Sequence, residues 1–152
     1  MTITMSRPVT EVLNKQVANW TVLYMKLHHY HWYVKGSDFF TLHSKFEEFY
    51  KEAASYVDEL AERILTIGGR PVSSLKACLE MSSIQEAAGG ESVEIMVQSV
   101  IKDFSTLVEE LNEGIKAADA AEDEVTADMF IGICGSLEKH LWMLRAFLGQ
   151  TK

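Results

Sequence analysis

The sequence predicts an all-α protein built as a single four-helix bundle. Four long segments repeat apolar residues at helical spacing, and no comparable stretch alternates with a period of two. The only two prolines, Pro8 and Pro71, lie outside these segments, so each helix can run without interruption. A chain of 152 residues can bury one core, so we take residues 1–152 as one domain with a short N-terminal tail at 1–8.

The first two predicted helices form a hairpin. The first carries its apolar residues over 9–34, with Thr10 as its N-cap and Gly36 as its stop. The second carries them over 39–67 and begins at Asp38. Because so short a turn separates them, the two helices are expected to be antiparallel neighbours.

A long connection separates this hairpin from the last two helices. It covers residues 69–91, and its segment Ser83-Ile84-Gln85-Glu86 fits a capping box, which predicts a short helix there. The third and fourth helices carry their apolar residues over 93–115 and 125–148. One long middle connection favours a ferritin-like bundle over a simple up-and-down bundle.

Charge and composition restrict the possible partners. The formal net charge is −8 with a pI near 5.1, whereas nucleic-acid-binding domains are usually basic. No run approaches the roughly 18 apolar residues of a membrane span. Cys78 and Cys134 are isolated thiols, which favours a reduced, cytoplasmic protein.

The second helix carries candidate metal ligands that cannot all reach one ion. His43 and Glu47, like Asp58 and Glu62, are spaced i,i+4 and share a helix face. The two pairs lie roughly 22 Å apart from His43 to Asp58, at about 1.5 Å per residue. They therefore predict two half-sites, each completed by another copy of the chain.

The hairpin adds His31 to one half-site. His31 lies five residues before Gly36 and His43 seven residues after it, so an antiparallel turn places them at similar height. One half-site then holds His31, His43 and Glu47, and the other Asp58 and Glu62. Two imidazoles and three carboxylates suit Fe(II), Zn(II), Co(II) or Mn(II).

At these residues the chain resembles the Dps family, the miniferritins named as DNA-binding proteins from starved cells, from about Thr10 onward. The matching motifs are His31-Trp32-Tyr33-Val34-Lys35-Gly36, Leu42-His43, Phe46, Asp58 and Ala61-Glu62-Arg63. The resemblance implies a homododecameric shell with 23 symmetry and a two-metal ferroxidase centre at each two-fold interface. In that centre, the five ligands above would come from two subunits. Many members have Asp where this chain has Glu47.

The resemblance also implies a chemistry. The shell would oxidise Fe(II), with hydrogen peroxide usually favoured over dioxygen, and deposit Fe(III) mineral inside, with zinc able to take the place of iron. Trp32 would lie beside the centre, either to intercept oxidising equivalents or simply to pack an interface. Asp119, Glu124 and Asp128 would line three-fold pores, although a solvated acidic turn also explains them.

Two other functions stay open from the sequence, and a ferritin-type centre within one subunit is argued against. Direct DNA binding or compaction is disfavoured, because no basic tail is present and twelve copies at −8 carry −96. A purely structural metal staple would bind metal without turnover. A ferritin-type intrasubunit centre needs a Glu-x-x-His motif, and no Glu precedes a His by three residues here.

Overall fold

The structure is a computed structural model that describes residues 8–150. The regular structure in this range is entirely helical: α1 Val9–Tyr33, α2 Phe39–Thr66, α3 Leu75–Met81, α4 Val93–Ala120 and α5 Glu124–Phe147. This confirms the predicted all-α bundle with a short helix in the long connection. Nearly all of the predicted 1–8 tail lies outside the described residues.

The bundle is formed by two helix hairpins that share one core. α1 packs against α2, and α4 packs against α5, with α1 also contacting α3 and α4. The largest fully buried side chains come from all four long helices and include Trp20, Tyr30, Phe46, Phe104 and Phe130. Burial of these apolar faces supplies the main driving force for the bundle. None of the helices in the described part is long and apolar enough to cross a membrane.

Two predicted helix starts were wrong. α1 begins at Val9 with Pro8 in the N-cap position, so Thr10 lies inside the helix. The short helix α3 precedes the predicted capping box, and its N-cap is Ser74, whose hydroxyl accepts a hydrogen bond from the Ala77 backbone N–H. No helix directly follows Ser83, whose hydroxyl donates instead to Glu110 on α4 at 2.5 Å.

A buried polar network attaches the long connection to the bundle. Asn19 on α1 is fully buried and donates to Glu110 at 2.7 Å. Its amide oxygen accepts from the backbone N–H of Ser83 at 2.8 Å and from the hydroxyl of Ser82 at 3.1 Å. These bonds hold the connection across α1 and α4, away from the exposed face of α2.

Candidate metal centre

His31 and His43 form a stacked pair at the end of the α1–α2 hairpin. The rings lie 3.7 Å apart between centroids, at an interplanar angle of 12°. The Nδ1 of His31 lies 2.7 Å from the carbonyl oxygen of His43, and the Nδ1 of His43 lies 2.8 Å from the carbonyl oxygen of His31. Since a carbonyl only accepts, both Nδ1 atoms carry the hydrogen. When such a ring is neutral, its lone pair is therefore on Nε2, as a metal ligand requires.

Glu47 lies beside this pair, one helical turn after His43. One carboxylate oxygen is 3.9 Å from the Nε2 of His31, and the other accepts a hydrogen bond from the Lys51 ammonium at 2.8 Å. Lys51 lowers the pKa of Glu47 below its ordinary value, and the two nearby imidazoles add to this effect. Glu47 is therefore an anionic ligand candidate that already has a cationic neighbour.

Asp58 and Glu62 lie farther along α2 and face solvent. Neither carboxylate has a side-chain hydrogen bond or an ion pair with any other described residue. Within residues 8–150, no group of three or more His, Cys, Asp or Glu side chains could by itself hold a metal ion. A single chain thus presents an N/O half-site and, well separated from it, a pair of free carboxylates.

Aromatic residues surround the histidine pair. Tyr50 meets His31 edge-on at 5.3 Å and stacks on His28 at 3.6 Å, and His28 in turn contacts Trp32 at 5.3 Å. Trp32 itself is 60% exposed, which is unusual for so large a ring. Within one chain, its outward position suits packing against a partner.

The acidic turn between α4 and α5 divides into two groups. Asp123 caps α5 through the Thr126 backbone N–H and pairs with Arg63 on α2 at 2.9 Å. Burial alone would raise the pKa of Asp123, but its bonds to Thr126 and Arg63 outweigh burial and lower it. The three predicted pore residues, Asp119, Glu124 and Asp128, remain exposed.

Three charged residues were missed by the sequence reasoning. Lys51 was detectable, because it follows Glu47 by four residues on the same helix. The buried ion pair between Lys26 on α1 and Asp103 on α4, at 2.7 Å, had no local signal because 77 positions separate its members.

Comparisons with known proteins identify the family of this chain. A ferritin-like domain model matches residues 10–152. The chain is 58% identical to the DNA protection during starvation protein 2 of Bacillus anthracis, over 96% of this chain and 100% of that one.

Solved structures of the same family are similar over nearly the whole chain. A Dps protein from Bacillus brevis superposes with a TM-score of 0.93 at 56% identity, covering 97% of this chain and 99% of that one. Dps from Listeria innocua soaked with zinc gives a TM-score of 0.90 at 42% identity, covering 93% and 97%. With its fold, its length and its sequence all matching, this chain belongs to the Dps family of ferritin-like proteins.

Proposed function

We propose that this protein is a ferroxidase and iron-storage miniferritin, and that it acts as a homododecameric shell with 23 symmetry. The observation that carries the proposal is the His31–His43 pair, whose mutual hydrogen bonds to backbone carbonyls leave both Nε2 atoms free for metal. Only carboxylates are then needed to complete the site, and the chain presents them on α2, the helix that also carries His43. Family membership supports the same conclusion.

The exposed face of α2 is arranged for pairing with its own copy. Four pairs of positions are equidistant from the midpoint between residues 52 and 53: Phe40 and Leu65, His43 and Glu62, Glu47 and Asp58, Lys51 and Ala54. All eight fall within an arc of about 100° at 100° per residue. A two-fold axis through that midpoint would pair each member with its counterpart on an antiparallel copy.

This pairing would assemble the centre and cover apolar surface together. His43 and Glu47 of one subunit would face Glu62 and Asp58 of the partner subunit, while His31 joins them from α1. Phe40 and Leu65, which are 83% and 60% exposed in the single chain, would meet at the ends of the interface. Exposed apolar side chains of this size mark association surfaces.

In the assembled centre, the imidazoles and carboxylates would bind Fe(II) as substrate. Carboxylates favour the product, because they neutralise the additional charge of Fe(III). With hydrogen peroxide as the oxidant, two Fe(II), one H₂O₂ and two protons give two Fe(III) and two waters. This oxidation would consume both reagents of radical formation, Fe(II) and peroxide, and the Fe(III) would be stored as mineral within the shell. Zn(II) accepts the same nitrogen and oxygen ligands and would compete for the site.

The exposed carboxylates of Asp119, Glu124 and Asp128 are proposed as the lining of three-fold entry pores. Three copies around an axis would attract cations by their combined field. We also propose a cytoplasmic location, which is supported by two cysteines that are both free and buried. Protection of DNA, for which the Bacillus anthracis relative is named, would then follow indirectly from removal of iron and peroxide.

The test is Fe(II) oxidation by a His31→Ala/His43→Ala variant, followed by absorbance, beside zinc binding measured by calorimetry. We expect the rate of Fe(II) oxidation and the affinity for zinc each to fall at least tenfold while the shell stays intact. Losses of this size are typical when the geometry of metal ligands is disturbed. His29→Ala is the matched control, since His29 lies on the same helix but contacts Tyr33 and Glu91 instead. Unchanged oxidation in the double variant would exclude this site.

A further inference from the structure

Lys51 holds a carboxylate that the proposed centre needs for metal. Its ammonium donates to Glu47 at 2.8 Å, and this same carboxylate approaches the Nε2 of His31 at 3.9 Å. The Lys51 side chain is 67% exposed and reaches Glu47 from one helical turn away. The Lys51 ammonium is therefore bound to a carboxylate that would otherwise be free to bind the metal.

Other cations of α2 are already paired elsewhere. Lys45 pairs with Glu48 at 2.9 Å, and Arg63 pairs with Asp123 at 2.9 Å. Asp58 and Glu62 have no cationic partner among the described residues. Lys51 is thus the α2 cation directed toward the ligand face.

The two-fold pairing makes this cation important. Two copies of α2 would bring Glu47, Asp58 and Glu62 together twice, which gives six carboxylates, while each ligand imidazole already donates its Nδ1 hydrogen to a backbone carbonyl. Covering these groups removes water and strengthens their mutual repulsion. Opposite Lys51 the same pairing places only the small Ala54, so the flexible lysine stem has room to move.

Resting on the proposed two-fold centre, we propose that Lys51 is its resident counter-ion in the absence of metal. The ammonium stabilises the metal-free interface by neutralising carboxylates, and it must leave Glu47 when a divalent cation binds. Lys51 therefore has two opposite effects: it strengthens the empty assembly and weakens metal affinity. A side chain that merely packed the interface would not couple these two quantities in opposite directions.

The test compares Lys51→Gln with the wild-type shell in two measurements. Calorimetry with Zn²⁺ alone should show that the variant binds Zn²⁺ about three- to twentyfold more tightly than the wild type. The lower value corresponds to the loss of an exposed ion pair, and the upper value to the loss of direct repulsion between the ammonium and a divalent ion at contact distance. Sedimentation of the metal-free protein on dilution should show that the variant dissociates at a higher concentration than the wild type. Saturating Zn²⁺ should abolish this second difference.

Two further variants control for charge and for helix position. Lys51→Arg keeps the charge and should behave as wild type in both measurements. Lys45→Gln removes a lysine of the same helix that is paired with Glu48, and it should change neither. Should Lys51→Gln fail to assemble, recovery of the shell by Zn²⁺ supports the proposal, and failure to recover overturns it.

Unchanged or weaker Zn²⁺ binding by Lys51→Gln would overturn the inference, as would equal effects of Lys45→Gln. Its failure is distinguishable from failure of the proposed centre. If His31→Ala/His43→Ala loses Zn²⁺ while Lys51→Gln binds as wild type, only the counter-ion role is wrong. If the histidine variant still binds Zn²⁺ normally, the centre itself is wrong.

Discussion

Replacing Lys26 by Met should unmask a buried carboxylate in the bundle. The Lys26 ammonium lies 2.7 Å from Asp103, and the two side chains are only 6% and 9% exposed. Burial raises the pKa of Asp103, while Lys26 opposes that rise. Met keeps the length and apolar stem of lysine but removes the charge, so Asp103 loses its principal counter-ion.

The loss of folding free energy caused by Lys26→Met has an upper bound. Asp103 can avoid being buried as a charge by taking up a proton. For a carboxyl with an ordinary pKa of about 3.9, protonation at pH 7 costs roughly 4 kcal/mol of free energy. Breaking a buried pair typically costs about 3–5 kcal/mol, so we expect about 3–4 kcal/mol at pH 7. An acid with a raised folded-state pKa loses stability as pH rises above its unfolded value, by up to about 1.4 kcal/mol per unit. Lys26→Met should therefore be much closer to wild type at pH 5 than at pH 7.

Guanidinium unfolding of the assembled protein, followed by circular dichroism at both pH values and equal concentration, measures this effect. A Lys26→Met/Asp103→Leu variant is the control, because removing both charges should restore most of the stability and its pH profile. A single variant within about 1 kcal/mol of wild type at pH 7, or with the wild-type pH profile, would refute the reasoning.

Three other outcomes are expected. Gly114→Ala should destabilise the protein by up to about 2 kcal/mol in the same unfolding assay. The added Cβ would lie 2.8 Å from the buried Phe130 ring, and this overpacking exceeds the gain in helix propensity. Gly132→Ala is the matched control, because its Cβ meets nothing within 4 Å, and it should stabilise the protein by about 0.5–1 kcal/mol. Glu124→Gln/Asp128→Asn should slow iron uptake severalfold at low salt, with the difference shrinking at high salt, whereas a salt-independent rate equal to wild type would count against the pore. A gel shift at low salt should show no retardation of duplex DNA, because the shell is acidic, and strong retardation that salt reverses would favour the DNA-binding alternative.

One of the two errors in the sequence prediction occurred where tertiary contacts compete with local ones. Ser83 has the local pattern of a helix cap, but its hydroxyl and backbone N–H are taken by Glu110 and Asn19 from two other helices. Thr10 was expected to cap α1, yet the helix already begins at Val9, after Pro8. Side chains such as serine can bond locally or at long range, so their choice depends on what packing brings near.

Helical periodicity is a local property, and for this reason the chain by itself determines four long helices and the shared face of the four candidate ligands on α2. The symmetry of that face about residues 52 and 53 can likewise be read from the printed letters, because helix geometry converts spacing directly into direction. Which atoms are free for chemistry was decided only by the tertiary structure. It commits the Nδ1 atoms of His31 and His43 to carbonyls across the hairpin and pairs Asp123 with Arg63 of α2. Hydrogen bonds and ion pairs form over about 3 Å, and only a folded chain brings groups from different helices that close.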